Sequence, residues 1–167
     1  MTPFELALEF LWQVEGGYVN DPADRGGKTN FGISSQAHPD IDIAGLTQSE
    51  AATIYRTDYW LPAACNQLPA RIAVALFGHA VHSGPVAAIK HLQLSLAITV
   101  DGHCGPITQA AARDSDHLET VIQMLSHRGY RFFTIAKHDQ SQARFLRGWM
   151  VRTYRLLHFI TTRVPAQ

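Results

Sequence analysis

Apolar residues recur at helical spacing along most of the chain, and the rhythm breaks in short stretches rich in glycine and proline. Near the N-terminus Phe4, Leu8 and Leu11 share one line of a helix, and the next position on that line is Glu15. Apolar residues three and four apart mark one helix face. Thr2 suits the N-cap, Pro3 the first helical position, and Glu5 completes a capping box. The pattern predicts that Glu15 emerges from the buried stripe and that Gly16 and Gly17 end the helix. Residues 18–33 lose the period. Tyr18-Val19 and Phe31-Gly32-Ile33 flank a turn-rich segment, which predicts a short irregular β-hairpin.

Beyond a weakly patterned stretch at 34–46, Thr47 and Glu50 form a second capping box. The helix they open runs to about Trp60, where Pro62 stops it. Leu68 to Val81 is apolar almost all round, the mark of a buried central helix. Ser83-Gly84-Pro85 is a break, and Pro85 opens a helix through Leu92 to Leu96. Ile98 to Gly105 is a turn region around Asp101-Gly102, and Gly105-Pro106 enters a short helix over 106–113. A helix from about Asp116 to Lys137 has Asp116 and Glu119 as a capping pair. The last runs from about Gln142 to Ile160, with Phe145, Trp149, Leu156 and Ile160 on its apolar line and Arg144, Arg147, Arg152 and Arg155 on other faces. The expectation is a mainly α fold of six or seven helices with one small hairpin. It forms a single domain, 1–167, divided at Ser83-Gly84-Pro85 into lobes of 1–85 and 86–167.

Apolar residues make up 46% of the 167 and charged residues 17%, which excludes a disordered chain. The zero net charge hides an uneven spread. Nine acids face three bases in residues 1–60, whereas from Arg128 onward eight bases accompany the single acid Asp139. An acidic front and a basic rear fit work on an anionic polymer, or a solvated helix face. No apolar run is long enough to span a bilayer, and the N-terminus lacks a basic segment of the secretory type. Membrane insertion is therefore not expected, and synthesis in the cytoplasm without a signal peptide is. Cys65 and Cys104 lack metal-type clustering; reduced, buried thiols are the default, with a disulfide open in an oxidising compartment.

The stretch with chemistry in it begins at Glu15. An acid on an apolar stripe, followed at once by two glycines, is placed where a carboxyl could stay protonated and a ligand could approach the backbone. Asp21 and Asp24 sit in the glycine-rich segment as turn caps or as a second carboxylate. Thr29 fills a strand or holds a water by its hydroxyl. Tyr18, Asn30, Tyr59 and His82 are candidate substrate contacts; for Tyr59 core packing is the alternative. His79 and His82 are three apart, a spacing that suits zinc, but no third ligand is evident, so satisfied buried histidines are expected and no metal or other cofactor. Asp101-Gly102 and Gly105-Pro106 read first as turn geometry.

Together these motifs resemble a known family. Glu15-Gly16-Gly17-Tyr18, Asn20-Asp21-Pro22, Gly26-Gly27-x-Thr29-Asn30-Phe31-Gly32-Ile33, Ile54-Tyr55-Arg56-x-x-Tyr59-Trp60 and Ser83-Gly84-Pro85 are similar to glycoside hydrolase family 108, whose members are N-acetylmuramidases and often phage endolysins. Leu92-Gln93 followed by Val100-Asp101-Gly102-x-x-Gly105-Pro106-x-Thr108 resembles the predicted peptidoglycan-binding half of such proteins. The likeness covers roughly residues 4–110. It implies a lysozyme-like helical fold, bacterial peptidoglycan as substrate, and cleavage of the β-1,4 bond between N-acetylmuramic acid and N-acetylglucosamine, with Glu15 as the acid. The family pattern has Asp where Gly78 stands and Asn where His82 stands.

A lytic transglycosylase and a non-catalytic wall-binding component of a phage or secretion machine are the alternatives. The setting expected is the cell wall in the periplasm, reached through a holin or a secretion system, the latter with a cognate immunity protein. A monomer is expected, and nucleic acid is not a partner.

Overall fold

The computed structural model describes residues 1–18 and 28–166. The described chain forms seven α-helices and one small hairpin: α1 (Pro3–Val14), β1 (Thr29–Asn30), β2 (Ile33–Ser34), α2 (Gln48–Tyr55), α3 (Ala70–Ser83), α4 (Pro85–Ser95), α5 (Pro106–Asp114), α6 (His117–His138) and α7 (Leu146–Arg163). The mainly helical expectation holds. No described helix is long and apolar enough to cross a membrane.

The helix starts follow the capping residues. Thr2 Oγ1 accepts from the Glu5 amide and Glu5 Oε2 from the Thr2 amide, at 3.3 and 2.7 Å. Thr47 and Glu50 repeat the arrangement at 3.3 and 2.8 Å. Asp116 caps α6 by accepting from the Leu118 and Glu119 amides, but the pair with Glu119 is not reciprocal. Glu119 instead accepts from Gln123 one turn on, at 2.7 Å.

Three helix ends differ from the pattern. The second helix is α only to Tyr55; Arg56–Trp60 is a π-turn closed by a Leu61 N–H bond to the Arg56 carbonyl at 3.0 Å. The last helix begins at Leu146, because Gln140–Phe145 is a 3₁₀ segment started by Asp139, whose carboxylate accepts from the Ser141 amide. In α1 the buried residues are Leu6, Ala7, Phe10 and Leu11, while Phe4 and Leu8 are only partly buried. The core line is thus rotated from Phe4-Leu8, though Leu11 lies on both. The helix also ends before the glycines: Glu15 itself turns to extended backbone (φ −87°) while its N–H still bonds the Leu11 carbonyl at 2.8 Å.

α3 is the central helix; every residue from Ile72 to Ala80 is buried. α1, α4, α6 and α7 pack around it. Gly84 (φ +82°) separates α3 from α4 and caps both. One buried cluster runs from Leu6 to Val164. Cys65 and Cys104 are free thiols within it, and burial pushes both upward, Cys104 to about 11.

Gly78 sets the spacing between α3 and α7. A β-carbon there would lie 2.8 Å from Leu156 Cδ2 and 3.2 Å from Cδ1. Gly78→Ala should therefore destabilise the fold by about 1–3 kcal/mol, the usual cost of overpacking. Leu156→Val in the same chain should recover part of it. Urea melts of the single and double variants measure both; an additive double variant counts against the contact.

The segment that resembles the peptidoglycan-binding half is organised by one buried side chain. The Gln93 amide reaches Asp101 Oδ1 (2.7 Å), the His103 carbonyl (3.0 Å) and Thr108 Oγ1 (3.2 Å). Its oxygen accepts from the Asp101 and Gly102 amides. The residues of that motif hold one another, which agrees with reading it as turn geometry.

Candidate functional site

The hairpin fixes the floor of the site. β1 and β2 are antiparallel, Thr29 opposite Ser34 and Asn30 opposite Ile33, so Phe31 and Gly32 form a two-residue turn. Both have positive φ, +50° and +80°, as the twist of a tight hairpin requires. A left-handed Phe is costly unless its surroundings hold it. Here Trp12 packs edge-on against the Phe31 ring, and the Tyr55 hydroxyl donates to the Phe31 carbonyl at 2.8 Å. Asn30 is buried beneath, its amide donating to the carbonyls of Ile43 (3.1 Å) and Leu46 (3.4 Å). That amide ties the hairpin to the loop before α2.

Glu15 lies over this turn. A β-carbon on Gly32 would be 2.6 Å from Glu15 Oε2 and 2.7 Å from the Tyr55 hydroxyl. The carboxylate and the phenol thus share the space that glycine leaves empty. The other oxygen, Oε1, is 2.5 Å from Arg152 Nη2 of α7, and both side chains are mostly buried. The sequence pattern leads to an unpaired acid at the mouth of an apolar stripe. In the folded chain the acid has a cation, because α7 packs across the end of α1.

The surroundings are aromatic. Tyr55 is buried against Trp12, Phe77 and Tyr59. Burial, and then the charge of Glu15, hold its hydroxyl far above the ordinary range, so it remains a donor. Tyr59, half-buried on the π-turn, is raised by burial and by Asp58 and Glu15. Thr29 is half-buried in β1, and Tyr18 is 46% exposed past the end of α1. Asp21 and Asp24 lie outside the described residues.

His79 and His82 diverge. His79 stacks on His91 of α4, with Nε2 to Nδ1 at 2.9 Å. His82 faces the other way, between Phe132 and Trp149, and its Nδ1 meets Arg128 Nη2 at 3.3 Å. Three residues of helix turn the rings toward different neighbours, so the zinc spacing is not realised. Arg128 is fully buried; it donates to the Gly78 carbonyl at 3.1 Å, and burial lowers it to about 9.

These histidines predict how the fold responds to acid. Burial, then neighbouring cations, hold His82 down at about 4; burial, then His127 and Arg131, do the same to His91; His79 is lowered further in direction by its burial. The folded state keeps them neutral, whereas the unfolded chain takes up protons from about pH 6.5 downward. Stability should therefore fall as the pH drops from about 6.5 to about 4, where His82 and His91 cease to contribute, and His79 extends the fall below that. After solvent screening the loss is roughly 2–4 kcal/mol. Thermal melts across that window measure it, and His91→Gln should flatten the slope; an unchanged slope would remove His91 from the account.

Sequence reasoning placed Glu15 in the site but missed Arg152, Tyr55 and the space over Gly32. The sequence carries no signal for Arg152, which lies among the arginines off the apolar line of the last helix, while buried Thr153 fills that line one turn after Trp149.

Comparison with known proteins places the chain in a family. Residues 8–84 match the family described as glycosyl hydrolase 108, and residues 87–154 match a predicted peptidoglycan domain. No curated protein matches the chain. Among solved structures, that of Brucella abortus SagA is similar at 30% identity, over 98% of this chain and 97% of that one, with a TM-score of 0.82. The two family matches follow one another along the chain, and one solved relative spans both. The chain is thus a peptidoglycan hydrolase acting on the cell wall, and it belongs to glycosyl hydrolase family 108.

Proposed function

We propose that the chain is an N-acetylmuramidase that cleaves the β-1,4 bond between N-acetylmuramic acid and N-acetylglucosamine, with Glu15 as the general acid. The observation that carries this is the seat of the Glu15 carboxylate. It lies in the space that a β-carbon on Gly32 would fill, beside a phenol that stays protonated. Glycoside hydrolysis requires a proton at the leaving oxygen and either a nucleophile or an activated water on the other face of the sugar. Glu15 gives the proton. Asp21 or Asp24, or a water held by Thr29, takes the second role, and we favour water attack with inversion. Tyr18 and Tyr59 serve as sugar-stacking surfaces. Residues 1–85 act as the catalytic lobe and 86–167 hold the wall.

The products test the reading. Digestion of purified peptidoglycan followed by mass analysis should give reducing N-acetylmuramic acid ends. Anhydro ends would instead make the chain a lytic transglycosylase, and binding without cleavage would make it a wall-binding component. A retained anomer in the first product would overturn the inverting step. Delivery is by a holin or a secretion machine; copurification of a tight inhibitory partner from the producing cell selects the second.

A further inference from the structure

Beside the Glu15–Arg152 pair lies a hollow of about 280 Å³ lined by Val14, His82, Gly148, Trp149, Val151, Arg152 and Arg155. No carboxylate among the described residues lines it. Its polar lining consists of donors. Arg152 is ion-paired with Glu15 through Nη2, and neither its buried Nε nor its Nη2 makes a well-directed hydrogen bond among the described residues. Arg155 is exposed at the rim. His82 is also a donor. A guanidinium has no acceptor, so the Arg128 contact makes His82 Nδ1 the acceptor and puts the ring hydrogen on Nε2. Behind His82, Arg128 is fully buried without an acidic partner among the described residues, and its Nε is also unpaired.

Buried donors are rarely left unpaired, and each such group is a cost to the free protein. One guanidinium with an orphaned buried nitrogen, a second at the rim and a neutral N–H donor around one hollow describe a site for an anion. Trp149 and Val14 add apolar lining.

We infer that this hollow binds a carboxylate of the substrate, held by Arg152, Arg155 and the His82 Nε2–H. The inference rests on the muramidase reading for its location beside Glu15. Peptidoglycan offers two sources of the same chemistry: the lactyl carboxyl of muramic acid where the peptide is absent, and the carboxylates of the peptide stem where it is present. An anion here competes with Glu15 for Arg152. Binding of the correct strand thereby leaves Glu15 without its cation as the leaving oxygen arrives, and links recognition of muramic acid to the acid.

Titration calorimetry with three ligands tests this: amidase-stripped glycan strands with free lactyl carboxyls, peptide-bearing strands, and both kinds with carboxyls capped as methylamides. Using the full chain carrying Glu15→Gln slows cleavage during the titration. We expect uncapped strands to bind about tenfold or more tightly than capped ones, as for hydrogen bonds to a charged group. Arg155→Met should abolish that preference and Arg155→Lys should restore part of it. A preference confined to stripped strands assigns the lactyl carboxyl, and one confined to peptide-bearing strands assigns the stem; both support the site. Equal binding of capped and uncapped strands overturns it, as does a preference that survives Arg155→Met. Product analysis of the unsubstituted chain reports separately on the muramidase reading, so either can fail alone.

Discussion

Glu15→Gln should lower the rate of peptidoglycan cleavage by about 10³-fold, within the range a positioned general acid contributes. Gln keeps the length and shape of the side chain and can still accept from Arg152, so its seat over Gly32 is retained. What is lost is the ability to deliver a proton to the leaving oxygen. Stability should change by only about 1–2 kcal/mol. The Glu15–Arg152 contact is partly open to solvent, and the Gln carbonyl replaces one charged acceptor with a neutral one. Reducing-end assays and thermal melts on the same preparation separate the two effects. Activity within tenfold of the unsubstituted chain, with the fold intact, would remove Glu15 from the role of acid. Glu15→Asp is a second measure: it keeps the proton but draws the carboxyl back toward α1, and recovery above the Gln level would show that chemistry, and not merely contact with Arg152, is what matters.

The parts of this protein that local chemistry decides were legible in the sequence. Both Thr-Glu capping boxes form, because each is complete within four residues. The central helix is buried because it is apolar on every side. The hairpin was legible only in its existence: Phe31-Gly32-Ile33 reads as its flank, whereas in the fold Phe31 and Gly32 are the turn itself. What was not legible depends on contacts between distant segments. Glu15 ends an apolar helix line, and Arg152 is one of several arginines off the apolar line of the last helix. Only packing of α7 against α1 shows that the two face each other. The rotation of the α1 core line has the same origin, since α3 and α7 determine which face is covered. Gln93 is similar: a buried amide on an apolar helix has no evident purpose until the 101–108 loop folds over it. The π-turn at Arg56–Trp60 also lay beyond sequence reading, because one extra residue in a helical turn leaves the apolar spacing almost unchanged.

Gly32→Ala should cost about 1–2 kcal/mol of stability yet lower activity by about 10²-fold, and the disproportion is informative. The backbone there has φ +80°, where any residue with a β-carbon is strained by roughly 1–2 kcal/mol. The new methyl would also meet Glu15 Oε2 at 2.6 Å and the Tyr55 hydroxyl at 2.7 Å. These neighbours do not yield equally. Tyr55 is buried between Trp12 and Phe77, and its hydroxyl holds the Phe31 carbonyl, so moving it would disturb the core. The Glu15 carboxylate is the free end of a flexible side chain at the rim of the core. It is therefore the group that shifts, and the fold survives by giving up the position of its acid. A displacement of about 1 Å at a reacting group is enough for a loss of this order. Asn at position 32 sharpens the test, because it tolerates positive φ better than Ala does yet fills the same space. If Gly32→Asn recovers stability but not activity, the empty space over the turn is the functional requirement; if it recovers both, the glycine serves only the backbone.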